Sequence, residues 1–319
     1  MDATIKPFAR HISDKQMELF KATAAQPEGA WLREALADPD LLFALRDGRV
    51  DVYFRGQVIY SIDIGTEKLA AFTHVKYLVL DGPAPYIKMQ DGTFTYKRAH
   101  LHDVYRDGLS LGQIKSAAKA YAGAESKGIY KAIKRDPTVI DVEIAFTRSN
   151  DIAEHSSQEK ERAQDRVDMV RLTRARDGYD LVFWEAKDYS NKDIFNDNIF
   201  TQLAAYARQL EMRASELNTA YRRVCQFHLD LDGLRNSLGF EGAAAAHLDM
   251  LKDVASERRP LRIVKEPSLF VFGFDNDQKN GRWKIRKQQI EAAIGSDRLR
   301  AVGNPNDGLG STGNNRESN

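Results

Sequence analysis

Residues 166–191 read RVDMVRLTRARDGYDLVFWEAKDYSN, and their reading decides the fold. A short apolar run around Asp168 and a second one, YDLVFWEAK, flank Arg176-Asp177-Gly178. A DG pair between two such runs predicts a β-hairpin. Side chains alternate faces along a strand, so Glu185 and Lys187 point the same way, with Leu181 and Phe183 behind them. A carboxylate and an ammonium on a mostly buried strand face are costly unless chemistry there uses them. A divalent cation is one such use. Two carboxylates from neighbouring strands suit Mg²⁺, which takes few protein ligands and keeps waters and phosphate oxygens.

Downstream, Asn191 or Asp193 can cap a helix whose stripe is Phe195, Ile199, Leu203, Ala207 and Leu210. Gln202 and Tyr206 lie four apart on a neighbouring stripe and reach the same spot, where they can orient a phosphate or hold Lys187. The plain alternative is a helix-flank tyrosine beside a chance glutamine. Upstream, Leu109 to about Arg135 is helical in pattern, with Ile114, Ala118, Tyr121 and Ile129 on the apolar face and Glu125 at its one skipped position. Asp136-Pro137 stops that helix, and TVIDVEIAF follows as a strand with Val139, Asp141, Glu143 and Ala145 on one face. The order helix, strand, strand, strand, helix, strand, helix indicates an α+β or mixed α/β class rather than a doubly wound sheet.

In these residues the chain resembles the PD-(D/E)XK nuclease superfamily, over roughly 109–215 with weaker support near 266–292. Asp168 matches the family's metal-binding aspartate, Glu185-Ala186-Lys187 its E-x-K, and Gln202 with Tyr206 a Q-x-x-x-Y helix motif of one branch. Val167 stands where the family's name has proline. The spacing D-x16-E-x-K on two strands, followed by Q-x-x-x-Y, is far more specific than E-x-K alone. The resemblance implies a restriction-endonuclease-like core, a mixed sheet flanked by helices, spanning 106–302. It implies Mg²⁺ or Mn²⁺ held by Asp168, Glu185 and the Ala186 carbonyl, and hydrolysis of DNA phosphodiester bonds, in restriction, phage defence or repair. Lys187 would orient or deprotonate water, or neutralise charge in the transition state. The first core helix often supplies a further acid in that family: Glu125 is the candidate, with Glu143 its rival.

Residues 1–105 read as an N-terminal helix-plus-strand module for recognition or partner binding. Ser13-Asp14 caps a helix to about Ala24, Trp31–Leu45 forms a second, and RVDVYF, QVIYSIDI, HVKYLVL and TFTYKRA follow as strands. Tyr53, Phe54, Tyr60, Tyr77, Tyr86 and Tyr96 can stack on nucleic acid, but strand aromatics are more often core. Residues 148–164 are polar and suggest a loop beside the site, with His155 a possible base or phosphate contact. Beyond Glu211 a helix continues to about Gln226, then a turn, a loop and a helix precede a strand at Ser268–Phe274. A closing helix carries Arg282, Lys284, Arg286 and Lys287, either a nucleic-acid contact or an ordinary solvated face. Residues 303–319 have little to bury and are expected to be disordered.

The 319 residues allow two domains, and 42% hydrophobic with 29% charged residues is ordinary globular composition. The net charge of +1 gives no global basic field, although local clusters matter more than the total. A single cysteine, Cys225, excludes an internal disulfide and a cysteine-based zinc site, and fits a reducing cytoplasm. No signal-peptide core or membrane-length apolar stretch is apparent, so no membrane partner is expected. DNA is the expected partner, with a homodimer or a partner protein also compatible. The competing readings are a nuclease-like fold that only binds nucleic acid or protein, and a chance D…E-x-K in which Glu185 and Lys187 form an ordinary ion pair.

Overall fold

The hairpin at the centre of the chain is the middle of a six-stranded mixed sheet in the computed structural model, which describes residues 7–78, 89–90, 93–94, 104–134, 136–147 and 164–310. Strand β7 (Val139–Thr147) pairs antiparallel with β8 (Gln164–Arg174), and β8 pairs antiparallel with β9 (Tyr179–Asp188). The far edge of β9 is lined in parallel by β10 (Leu261–Ile263) and β11 (Ser268–Phe272), and β12 (Leu299–Val302) completes the order beside β11. Chain order therefore gives an antiparallel meander followed by parallel additions, which need helical crossovers.

Ahead of the meander lie α1 (Asp14–Ala25), α2 (Ala30–Ala37), α3 (Ser110–Tyr121) and α4 (Ala124–Ile133). Between α2 and α3, strands β1 (Leu42–Leu45), β2 (Arg49–Phe54), β3 (Gln57–Ile64) and β4 (Leu69–Phe72) form an antiparallel sheet, and β5 (Met89–Gln90) pairs with β6 (Thr93–Phe94). After β9 come α5 (Asn198–Met212), α6 (Ala214–Ser237), α7 (Ala245–Ala255), α8 (Asn276–Asn280) and α9 (Arg282–Ile294). The class is thus mixed α+β, with antiparallel and mixed sheets flanked by helices. Among the described residues no helix is long and apolar enough to cross a membrane.

Two apolar clusters sandwich the large sheet. One joins Val167, Leu181, Phe183 and Val271 to Ile199, Leu203 and Tyr206 of α5 and to α6. The other joins Met169, Trp184, Ala186, Phe270 and Phe272 to Ala132 and Ile133 of α4. The first cluster runs without interruption into Phe20, Leu32, Val50 and Ile62 of the N-terminal segment. A buried polar node reinforces that junction: the Asp141 carboxylate on β7 accepts from Arg10 (3.2 Å), Arg46 (2.7 Å) and the Tyr221 hydroxyl (3.1 Å).

Several elements differ from the sequence expectation. The second helix ends at Ala37 instead of running to Leu45, because Pro39 disfavours helix at Asp38; Leu42–Leu45 then pairs with β2. The single helix expected over 109–135 is two, broken at Ala122-Gly123, so Glu125 belongs to the first turn of α4. Val75–Tyr77 of the expected strand HVKYLVL forms a 3₁₀ helix, capped by His74. The loop expected after Gln226 is instead the second half of the 24-residue α6. The tail expected to be disordered from 303 is structured as far as 310, where Leu309 is buried and the Gly310 carbonyl accepts from Arg171. Tyr53, Phe54, Tyr60 and Tyr77 are buried, so they present no stacking surface. Tyr86, Tyr96 and His155 lie outside the described residues.

Candidate active site

The ladder between β8 and β9 ends at Met169↔Trp184. The next facing positions are Asp168 and Glu185, at the fork where the strands part. There Asp168 Oδ2 accepts the Ala186 N–H at 2.7 Å, so a side chain replaces a lost ladder bond. Glu185 is 2% exposed. Its Oε1 takes the Lys187 ammonium at 2.6 Å and the Gln202 amide at 2.8 Å. Its Oε2 is buried and has no hydrogen-bond partner among the described residues. An ionised carboxylate oxygen left bare in the interior is costly, and such atoms call for a missing donor, water or cation.

The helix α5 fixes this arrangement through its i, i+4 pair. Gln202 also donates to the Tyr206 hydroxyl at 2.6 Å, and Tyr206 donates to the Arg166 carbonyl at 2.5 Å. Helix, Glu185 and strand β8 are thereby tied into one unit. The amide holds Glu185 rather than Lys187.

Both rival glutamates reach the same region. Glu125 Oε2 accepts from the Asp188 N–H (3.3 Å) and the Asn191 amide (3.0 Å), which docks α4 on the end of β9. Gly128 permits that approach, since a Cβ there would lie 1.9 Å from the Phe272 ring. Glu143 stands between the pairs Val142↔Met169 and Ile144↔Val167, opposite Asp168. Its φ is 53°, the left-handed region that few non-glycine residues adopt. Val142 and Met169 pack in one apolar cluster while Ile144 and Val167 pack in the other. Both strands thus change face at Glu143 and Asp168, where regular alternation would keep those pairs on one side.

The electrostatics are those of crowded carboxylates. Burial pushes Asp168 well above the usual carboxylate range, and the neighbouring Glu185 adds to it. Burial likewise raises Glu185, partly countered by Lys187. Burial raises Glu143 too, against the pull of Arg166. For Lys187 burial would lower the pKa, but Glu185, Glu125 and Asp168 outweigh it and the ammonium is held charged. Burial, and Glu185 next, raise the Tyr206 phenol, which stays a neutral donor.

Among the described residues no group of three or more His, Cys, Asp or Glu side chains stands ready to hold a metal ion. The donor chemistry nevertheless fits a hard cation: two carboxylates that repel each other, one with a bare buried oxygen. In the C-terminal helix, Arg286 is occupied structurally, donating to the carbonyls of Ile194 and Asn196, both at 2.6 Å. Arg282 covers the Phe195 ring and Lys287 pairs with Glu291. Arg166, which the sequence reading passed over, pairs with Glu143 at 3.3 Å; its place two residues before Asp168 was the available signal. Comparison with models of protein families, with curated proteins and with solved structures finds no match.

Proposed function

We propose that the chain is a metal-dependent nuclease of the PD-(D/E)XK type that hydrolyses DNA phosphodiester bonds. The observation that carries this reading is the convergence of Asp168, Glu185 and Lys187 at one strand fork, with Glu185 Oε2 buried and unpartnered. A chance D…E-x-K has no reason to bring these groups together, nor to have Gln202 and Tyr206 brace them. The antiparallel β7–β8–β9 meander with β11 parallel to β9 supports a restriction-endonuclease-like core.

Asp168 and Glu185, with the Ala186 carbonyl by resemblance, would hold Mg²⁺ or Mn²⁺. When bound, that ion polarises a phosphate and lowers the pKa of a coordinated water. Lys187, paired with Glu185 at 2.6 Å, would orient or deprotonate the attacking water or neutralise negative charge developing on the phosphate. Gln202 keeps Glu185 in one rotamer, and Tyr206 keeps α5 on β8. Glu125 caps the end of β9 and adds negative charge on the α4 side.

The test is cleavage of supercoiled plasmid and of single-stranded DNA with Mg²⁺, Mn²⁺ or EDTA. Cutting is expected with either metal and none with EDTA. Asp168→Ala and Lys187→Ala are each expected to lower the rate on the order of 10²-fold or more while circular dichroism shows the fold retained at the assay temperature. Wild-type rates in either variant, or no metal-dependent cutting at all, sink the assignment.

A further inference from the structure

Arg166 lies on β8 two residues before Asp168. Its backbone is fixed, because the Tyr206 hydroxyl donates to its carbonyl at 2.5 Å. Val167 beside it is fully buried under α5, and Arg166, the preceding residue of β8, projects away from that core. The Arg166 side chain is 59% exposed, and its Nη1 meets Glu143 Oε2 at 3.3 Å. The partner is itself fixed in position. Arg46 Nη2 donates to the Val142 carbonyl at 2.8 Å, just before the left-handed turn at Glu143. The result is an exposed guanidinium, two residues before Asp168 on the same strand, held by one long contact from a carboxylate whose backbone is set in an unfavourable conformation.

That contact is built to be exchanged. A single exposed ion pair in high dielectric is held weakly, whereas a guanidinium fork meets two phosphate oxygens at once. Two other cations, Lys187 and Arg286, are committed, Lys187 to Glu185 and Arg286 to backbone carbonyls. We propose that Arg166 is a phosphate-binding residue that grips the DNA backbone next to the Asp168–Glu185 pair, and that Glu143 holds it in reserve until a phosphate takes the carboxylate's place. This rests on the nuclease reading of the same site.

The experiment is fluorescence anisotropy of labelled single-stranded and duplex DNA titrated with the full-length protein in Ca²⁺, across a range of salt concentrations. Arg166→Ala is expected to bind on the order of tenfold more weakly, with the log–log salt slope reduced by about one and thermal unfolding unchanged. Glu143→Gln, which frees the guanidinium, is expected to bind at least as tightly as wild type. Equal affinity and slope in Arg166→Ala would overturn the proposal while leaving the nuclease reading intact. Weaker binding by Glu143→Gln overturns the reserve role of that residue. Wild type that binds neither form of DNA overturns both readings. Wild type that binds through Arg166 yet never cuts with Mg²⁺ or Mn²⁺ supports this proposal and ends the hydrolytic one.

Discussion

Glu143 stores the clearest strain in the site. A φ of 53° sets its Cβ against its own backbone, a conformation that costs a non-glycine residue on the order of 1–2 kcal/mol. Its one ion pair is partly exposed and returns little. Glu143→Gly should therefore raise stability by about 1 kcal/mol in urea denaturation, whereas Glu143→Ala, which keeps the strain, should not. Destabilisation by glycine would mean that the carboxylate, not the conformation, holds the face change. In the sequence, alternation along β9 put Glu185 and Lys187 on one face, and the resemblance added Asp168 to them. Sequence reading left Glu125 against Glu143 open because TVIDVEIAF alternates cleanly, and nothing in that pattern marks where the backbone turns over. The partner of Gln202 was equally illegible: helix spacing gives the stripe, not which atom of the neighbouring strand it meets.

At the scale of elements, the approach of α4 to the sheet decides whether Glu125 reaches β9. Gly128 makes that approach possible, and the Phe272 ring fills the room a methyl group would need. Alanine in a helix gains about 1 kcal/mol over glycine in isolation, yet overpacking against a buried ring costs about 1–3 kcal/mol. Gly128→Ala should thus destabilise by about 1–2 kcal/mol, read by chemical denaturation, and should slow cleavage by shifting Glu125 away from Asp188. A stabilised variant would show that α4 has slack against the sheet. The long strands and the hairpin were legible because their apolar runs and DG turn are local signals. The break at Ala122-Gly123 was not, because two short amphipathic helices in sequence mimic one helix with a skipped position. The continuation of α6 past Gln226 was hidden by Asp232-Gly233, a turn signal in sequence that lies inside the helix.

Across the whole molecule, charged and titrating groups seam the N-terminal segment, the sheet and α6 together, and they make stability depend on pH. His228 on α6 donates from Nε2 to the Ile140 carbonyl on β7 at 2.8 Å, beside the Asp141 node. Burial above all, opposed by the Ile140 hydrogen bond and aided by His247, depresses its pKa from 6.5 to about 4. The unfolded chain then takes up a proton near pH 6.5 that the folded chain refuses until about pH 4. Stability from this histidine is full above 6.5, declines as pH falls, and is spent by about 4, a loss of up to about 3 kcal/mol. His247, also lowered by burial, acts with the same sign. The site carboxylates Asp168, Glu185 and Glu143 act with the opposite sign, because their raised pKa values favour the folded state as they protonate. A single stability curve therefore mixes both trends, and the difference between two proteins separates them. His228→Gln keeps a donor for Ile140 and removes the titration, while the site is common to both chains. Wild type should lose stability relative to the glutamine variant between pH 7 and pH 4.5 in paired urea denaturations. Parallel curves would show that His228 is not held neutral, and with it that the seam between α6 and β7 admits water.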